Sequence, residues 1–296
     1  MSKEPTIVEI RVEGLHSLID EALAARNCWN RAVWFRGQAS NAKDWGLAPS
    51  VFRADFKALC EVDRTHDIEM TMILKFMQKA PARYHNCPRN EDYAHWLSLM
   101  QHYRLPTRLL DWTGSVLVAG FFAVTEPACH SVDGVVWMLD PGKLNEEMAV
   151  PRGLLLPLDR ETANEQFHVS LRKHHDEKKK RILAVVPDEV DSRLLVQQSA
   201  FTLHGMDTPL DRVRGSDRFL RRLVIPAEKK AEIEDGLRFM GIRRENLFPD
   251  LGNLADDINY SLRRMASRPA SEESRGKPEV GDGGRTCGTT VYRPKR

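Results

Sequence analysis

Residues 92–124 read DYAHWLSLMQHYRLPTRLLDWTGSVLVAGFFAV, and three kinds of element follow one another within them. Trp96, Leu99 and Tyr103 recur at helical spacing, so residues 92–103 form an amphipathic helix. Pro106 has no N–H to donate and ends it. Residues 109–112 read as extended. Thr113 or Ser115 then caps a second helix that runs to Val124. That helix is apolar on every side, which places it in a core, and it is far too short to span a bilayer.

Working outward, residues 7–12 alternate apolar and polar side chains and read as a short strand. Residues 17–25 place Leu18, Ile19, Ala22 and Leu23 on one helical face, with Ser17 as N-cap and Asp20 and Glu21 in the first turn. Residues 33–35 are a short apolar strand that ends in a turn at Arg36-Gly37. Residues 46–52 are irregular around Pro49. Ile68, Met72, Ile73 and Phe76 share a face of a helix over 68–77. Toward the C-terminus, residues 134–139 form a compact central strand, and 181–186, 193–204 and 219–225 read as three more. Pro226 opens a helix over 227–240 with Gly241 as its C-cap, and a last helix starts near Leu251, after Pro249. Helices early and strands late, without regular βαβ spacing, predict an α+β fold: one main domain over 1–266, with a mixed or antiparallel sheet flanked by helices. Residues 267–296 are rich in Gly, Pro, Ser and charge and read as a disordered tail.

Composition narrows the function classes. Apolar residues at 42% and charged residues at 29% are a globular mix. Lys plus Arg is 44 against 42 for Asp plus Glu, so the net charge of +2 gives no global attraction to nucleic acid or membrane. Five widely spaced cysteines without a C-x-x-C pair argue against a disulfide framework or a structural zinc site and fit a reducing cytoplasm. The first twelve residues carry Lys3, Glu4, Glu9 and Arg11 where a signal peptide needs an apolar run.

Three segments carry the candidate chemistry. Arg36 closes a short strand, and Gly37 beside it lets a backbone or ligand approach; a guanidinium fork there suits phosphate or carboxylate, while a structural pairing with a buried carboxylate is the alternative. Residues 101–113 pack His102, Tyr103, Arg104, Arg108, Asp111 and Trp112 together. Arg108 and Asp111 either share a site or pair with each other. Trp112 offers a flat face for stacking, and Thr113 is a helix cap or a ligand contact. A salt-bridged turn over a core Trp is the plainer reading of this run. Finally, Gln197, Gln198 and Ser199 interrupt an apolar strand whose inward alternation continues through Phe201 and Leu203, as the polar floor of a pocket would; solvated glutamines on an edge strand are the alternative. His85, His95, His102 and Cys87 lack tight metal-ligand spacing, the His174-His175 run is a solvated basic stretch, and residues 281–284 lack the setting of a phosphate loop. No G-x-S-x-G or H-E-x-x-H and no carboxylate cluster is present, so a serine hydrolase, a zincin and a metal nuclease lack support, and no metal is expected.

Phe35-Arg36-Gly37-Gln38, residues 47–53 ending in Arg53, residues 101–113, residues 197–202 and residues 246–251 together resemble the FRG-domain family, over residues 15–260. More distantly, the order of elements is similar to ADP-ribosyltransferases of the Arg-Ser-Glu class. These carry an aromatic-Arg-Gly strand, then a Ser-Thr-Ser strand entering a small-residue helix, then a late catalytic Glu. That resemblance implies a split sheet and NAD as co-substrate, with Arg36, Asp111 and Gln197 in catalytic positions. Gly37, Gln38, Arg53, Arg108, Trp112, Thr113, Gln198 and Phe201 would then contact substrate. Asp111-Trp112-Thr113 stands where Ser-Thr-Ser would be, and Gln197 where the Glu would be. The implied activity is ADP-ribosyl transfer to a macromolecule or NAD cleavage, in a toxin or phage-defence setting. A non-catalytic nucleotide-binding module is the first alternative. A nucleic-acid-processing effector, suggested by the basic stretches at 172–181 and 212–222, is the second.

Overall fold

In the computed structural model, the described residues are 6–42, 45–62, 68–158, 181–187, 197–248 and 250–266. Residues 193–196, most of the basic run at 172–181 and the tail at 267–296 lie outside them.

GVVWML at Gly134–Leu139 is apolar throughout, as a strand covered on both faces must be, and every residue of this strand (β4) is buried. Seven more strands join it: β1 (Val8–Arg11), β2 (Trp34–Gln38), β3 (Leu109–Thr113), β5 (Leu156–Pro157), β6 (Ile182–Val186), β7 (Ser199–His204) and β8 (Leu220–Ile225). They form one open mixed sheet in the order β1-β8-β4-β2-β3-β7-β6-β5. Only the outer pairs, β1 with β8 and β5 with β6, are parallel. β2 pairs with β4 along its whole length, and β3 with β7 likewise. Between β2 and β3 the ladder is reduced to one pair, Phe35 opposite Thr113. The sheet therefore parts at its middle.

Among the described residues the helices are α1 (Leu15–Trp29), α2 (Ala54–Val62), α3 (Ile68–Lys79), α4 (Tyr93–His102), α5 (Val116–Val124), α6 (Pro141–Glu147), α7 (Lys230–Phe239), α8 (Arg244–Leu247) and α9 (Leu251–Ala266). Against one face of the β1-β8-β4-β2 half pack Leu18 and Ala22 of α1, Ala119 and Ala123 of α5, and Ile233 and Leu237 of α7. Against the β3-β7-β6 half pack Ile73 of α3 and Ala94, Leu97 and Met100 of α4. A third cluster holds residues from both halves, among them Trp34, Trp137 and Leu139 with Leu110, Trp112, Ala200 and Ile182. The α+β class, the mixed sheet and its flanking helices are as the sequence predicts.

Local details differ for physical reasons. α1 begins at Leu15, so Ser17 lies inside the first turn, where its hydroxyl accepts the N–H groups of Glu13 and Gly14. β2 does not turn at Arg36-Gly37 but runs on to Gln38, because Gly37 is needed inside the strand. A Cβ there would lie 1.8 Å from the Ala119 carbonyl oxygen, so α5 packs its backbone directly on β2. Gly134 admits the same helix from β4, where a Cβ would lie 2.6 Å from the Ala123 carbonyl oxygen. Ser115 is the N-cap of α5, accepting from Val118 N–H. Gln197 and Gln198 form a turn before β7 rather than part of the strand, and Gln198 adopts φ 48°. The helix after Pro226 starts as a 3₁₀ turn at Ala227–Lys229, and Gly241 follows it at φ 82°. Among the described residues no helix is long and apolar enough to cross a membrane.

Candidate functional site

The parting of β2 from β3 leaves strand backbone without a ladder partner, and a cleft of about 390 Å³ opens there. β2 contributes Phe35, Arg36 and Gly37; β3 contributes Asp111, Trp112 and Thr113; α5 contributes Val118 and Phe122. Gln101, Arg104 and Leu105 at the end of α4, with Ser50, Gln197 and Ser199, complete the lining.

Arg36 bridges the gap. Its Nη1 donates to the Asp111 carbonyl oxygen at 2.7 Å, in place of a strand partner, and lies 3.8 Å from Asp111 Oδ2. Its side chain is 16% exposed, and its buried Nε has no hydrogen-bond partner among the described residues. Burial lowers its pKa to about 10; Asp111 pulls it back up, and Arg53 presses it further down. Arg53 is itself held by its Nε donating to the Ala48 carbonyl.

Asp111 is 55% exposed, yet its carboxylate is oriented. Gln101 Nε2 donates to Asp111 Oδ2 at 2.8 Å, and Gln101 Oε1 accepts from Thr107 Oγ1 at 2.5 Å. Ser50 Oγ in turn accepts the Thr107 N–H. Thr113 is a structural hub, donating from Oγ1 to the Gln197 carbonyl and accepting the Ser115 N–H. Gln197 gives its Nε2 to the Leu247 carbonyl at the end of α8. Phe122 and Phe248 meet edge to face, their centroids 6.0 Å apart, and extend the apolar wall that Val118 begins.

Arg36, Gly37, Asp111, Trp112, Thr113 and Gln197 thus line one cleft, and several other candidates do not. Arg108 does not pair with Asp111. It makes two hydrogen bonds of 2.6 and 2.7 Å to Glu69 of α3, both residues buried, with the guanidinium over the Phe52 ring. The Trp112 indole is not a free stacking face: the residue is 3% exposed, and its Nε1 donates to Thr202 Oγ1 within the core. Phe201 is a core residue. Gln38 accepts from Trp137 Nε1 and faces a different depression in the surface. Gln198 is turned out beside Gly114, near α1. The sequence places Gln101 and Arg104 in the candidate run at 101–113 without giving either a contact, and it gives no sign of Phe122. Gln101 and Arg104 lie just before Pro106; Phe122 is the exposed member of an apolar helix whose other residues are buried or partly buried.

The stretch at 212–222 is largely engaged. Arg218 pairs with Glu147, Arg222 with Glu9, and Arg221 lies over the Trp29 ring. No group of three His, Cys, Asp or Glu side chains among the described residues is arranged to hold a metal.

Residues 31–131 match the family model of the FRG domain. That span runs from just before β2 to just after α5, so it contains Arg36, Gln101, Arg104 and Asp111 and leaves out Gln197. No curated protein and no solved structure matches the chain.

Proposed function

Since the chain carries an FRG domain over residues 31–131, we propose that its cleft binds NAD and that Asp111 supplies the carboxylate for breaking the nicotinamide–ribose bond. One observation carries the reading: a mostly buried arginine, its Nε unpartnered, stands beside an oriented carboxylate in a cleft with an apolar wall. A guanidinium fork suits phosphate oxygens, and in a partly dry site each such bond is stronger than in water. Arg36 takes the pyrophosphate. With Trp112 buried, the nicotinamide ring rests on Val118 and Phe122 instead. In the reaction the bond from ribose C1′ to the nicotinamide nitrogen breaks, and its electron pair stays with neutral nicotinamide. Positive charge develops on the ribose and Asp111 offsets it. Water or a nucleophile on a macromolecule then bonds to C1′ and gives up its proton.

The test is nicotinamide release from NAD, with and without a cell lysate as acceptor, by the parent, Asp111→Asn and Arg36→Gln. Release by the parent, loss of turnover with binding kept in Asp111→Asn, and loss of both in Arg36→Gln is the expected pattern. Turnover by Asp111→Asn equal to the parent's would remove Asp111 from the chemistry. A second reading, binding without turnover, is favoured by Gln197. It is an amide where the transferases that the order of elements resembles place a glutamate, and its nitrogen is already committed to Leu247. That reading expects saturable NAD binding and no nicotinamide release from any form.

A further inference from the structure

Helix α4 ends on a residue that fits its position poorly. Leu105 N–H donates to the Met100 carbonyl and Arg104 N–H to the Gln101 carbonyl, the paired bonds of a Schellman motif. The residue at the left-handed position of that motif is usually glycine, because a Cβ is disfavoured there. Here it is Arg104, at φ 62°. Its side chain lines the same cleft as Arg36. Among the described residues its guanidinium has no hydrogen bond or ion pair, although its charge helps to lower the pKa of Asp250, which hydrogen bonds from Asn253 depress more strongly. An exposed arginine held in the left-handed region, with no hydrogen bond or ion pair among the described residues and lining a cleft that already holds a second arginine, suits an anion.

We propose that Arg104 and Arg36, presented by α4 and β2, form a two-point clamp for a diphosphate, so that the cleft selects pyrophosphate-bridged nucleotides over monophosphates. This rests on the nucleotide reading above and narrows it to a ligand class. Arg36 engages one phosphate from the floor of the cleft and Arg104 the other from its rim. The left-handed backbone is retained because it aims the guanidinium inward.

Arg104→Gly tests this without endangering the fold, since glycine relaxes the backbone while removing the cation. Calorimetric titration with ADP-ribose and with AMP is run on the parent, Arg104→Gly and Arg104→Lys, alongside thermal melts. Expected for Arg104→Gly are a melting temperature at least equal to the parent's, ADP-ribose affinity down by about tenfold or more, and AMP affinity changed by less than about threefold. Arg104→Lys keeps a charge without the fork and recovers part of the loss. If Arg104→Gly binds ADP-ribose as the parent does, or loses AMP to the same degree, the clamp is wrong while the nucleotide reading stands. A parent that binds neither ligand overturns both.

Discussion

Arg36 carries its charge at a cost. Its folded pKa, about 10, lies below the ordinary arginine value, because burial disfavours the charged form. The unfolded chain therefore holds this proton more tightly, and the contribution to stability is unfavourable below pH 10 and fades as pH rises above it. Arg36→Gln should accordingly melt at or above the parent's temperature while losing ligand; a thermal melt beside a binding titration checks both. His204 obeys the same rule at acid pH. It is fully buried, its Nε2 meets Thr202 Oγ1, and burial, followed by the charges of Arg36 and Arg108, lowers its pKa to about 3. Neutral in the fold and protonated once unfolded, it makes stability fall as pH drops from 6.5 toward 3, by about 1.4 kcal/mol per pH unit. Denaturant titrations across that window should show a shallower slope for His204→Gln. Arg36 was legible because a guanidinium within a short apolar strand must find an anion or a carbonyl to offset its burial. The fate of Arg108 was not: its partner, Glu69, lies three, four and seven residues before Met72, Ile73 and Phe76, on the buried face of α3, where a lone carboxylate does not announce which cation it meets.

Two close approaches hold the elements that frame the cleft. α5 lies backbone-on-backbone against β2 and β4, at Gly37 and Gly134. The methyl group of Gly37→Ala meets the Ala119 carbonyl, which cannot yield without lifting the helix. A loss of about 3 kcal/mol or more, or failure to fold, is expected in denaturant unfolding, whatever the ligand does. The glycine after Arg36 is thus explained by the helix behind the strand. α3 is tied to β3 by the buried pair of Glu69 and Arg108. Glu69→Ala strands a buried cation and should cost about 3–5 kcal/mol, whereas replacing both residues with leucine should recover most of it. Equal losses in the single and double variants would show that packing, not charge, sets the cost. Periodicity made most helices and strands readable. It misplaced the glutamines at 197–198, since polar residues interrupting an apolar strand and polar residues in a turn before it look alike in one dimension.

At the scale of the molecule, the site exists because the sheet parts in its middle. The order β4-β2-β3-β7 places residue 36 beside 111 and brings residue 197 to the edge of 113. The α+β class followed from the order of elements along the chain. The neighbours across the split did not, because pairing between strands tens of residues apart leaves no local trace. Toward the C-terminal end, Arg238 of α7 makes two hydrogen bonds to Asp257 of α9 and a third to Ser261. Arg238→Ala should loosen α9 and leave the β2–β3 cleft intact, which faster amide hydrogen exchange confined to 251–266 would show. The most direct measurement is calorimetric titration of NAD into the parent and Arg36→Gln. Saturable binding by the parent, weakened about tenfold or more in the variant, is the predicted result. Equal affinity in the two proteins, or no binding by a folded parent, would contradict the assignment of this cleft.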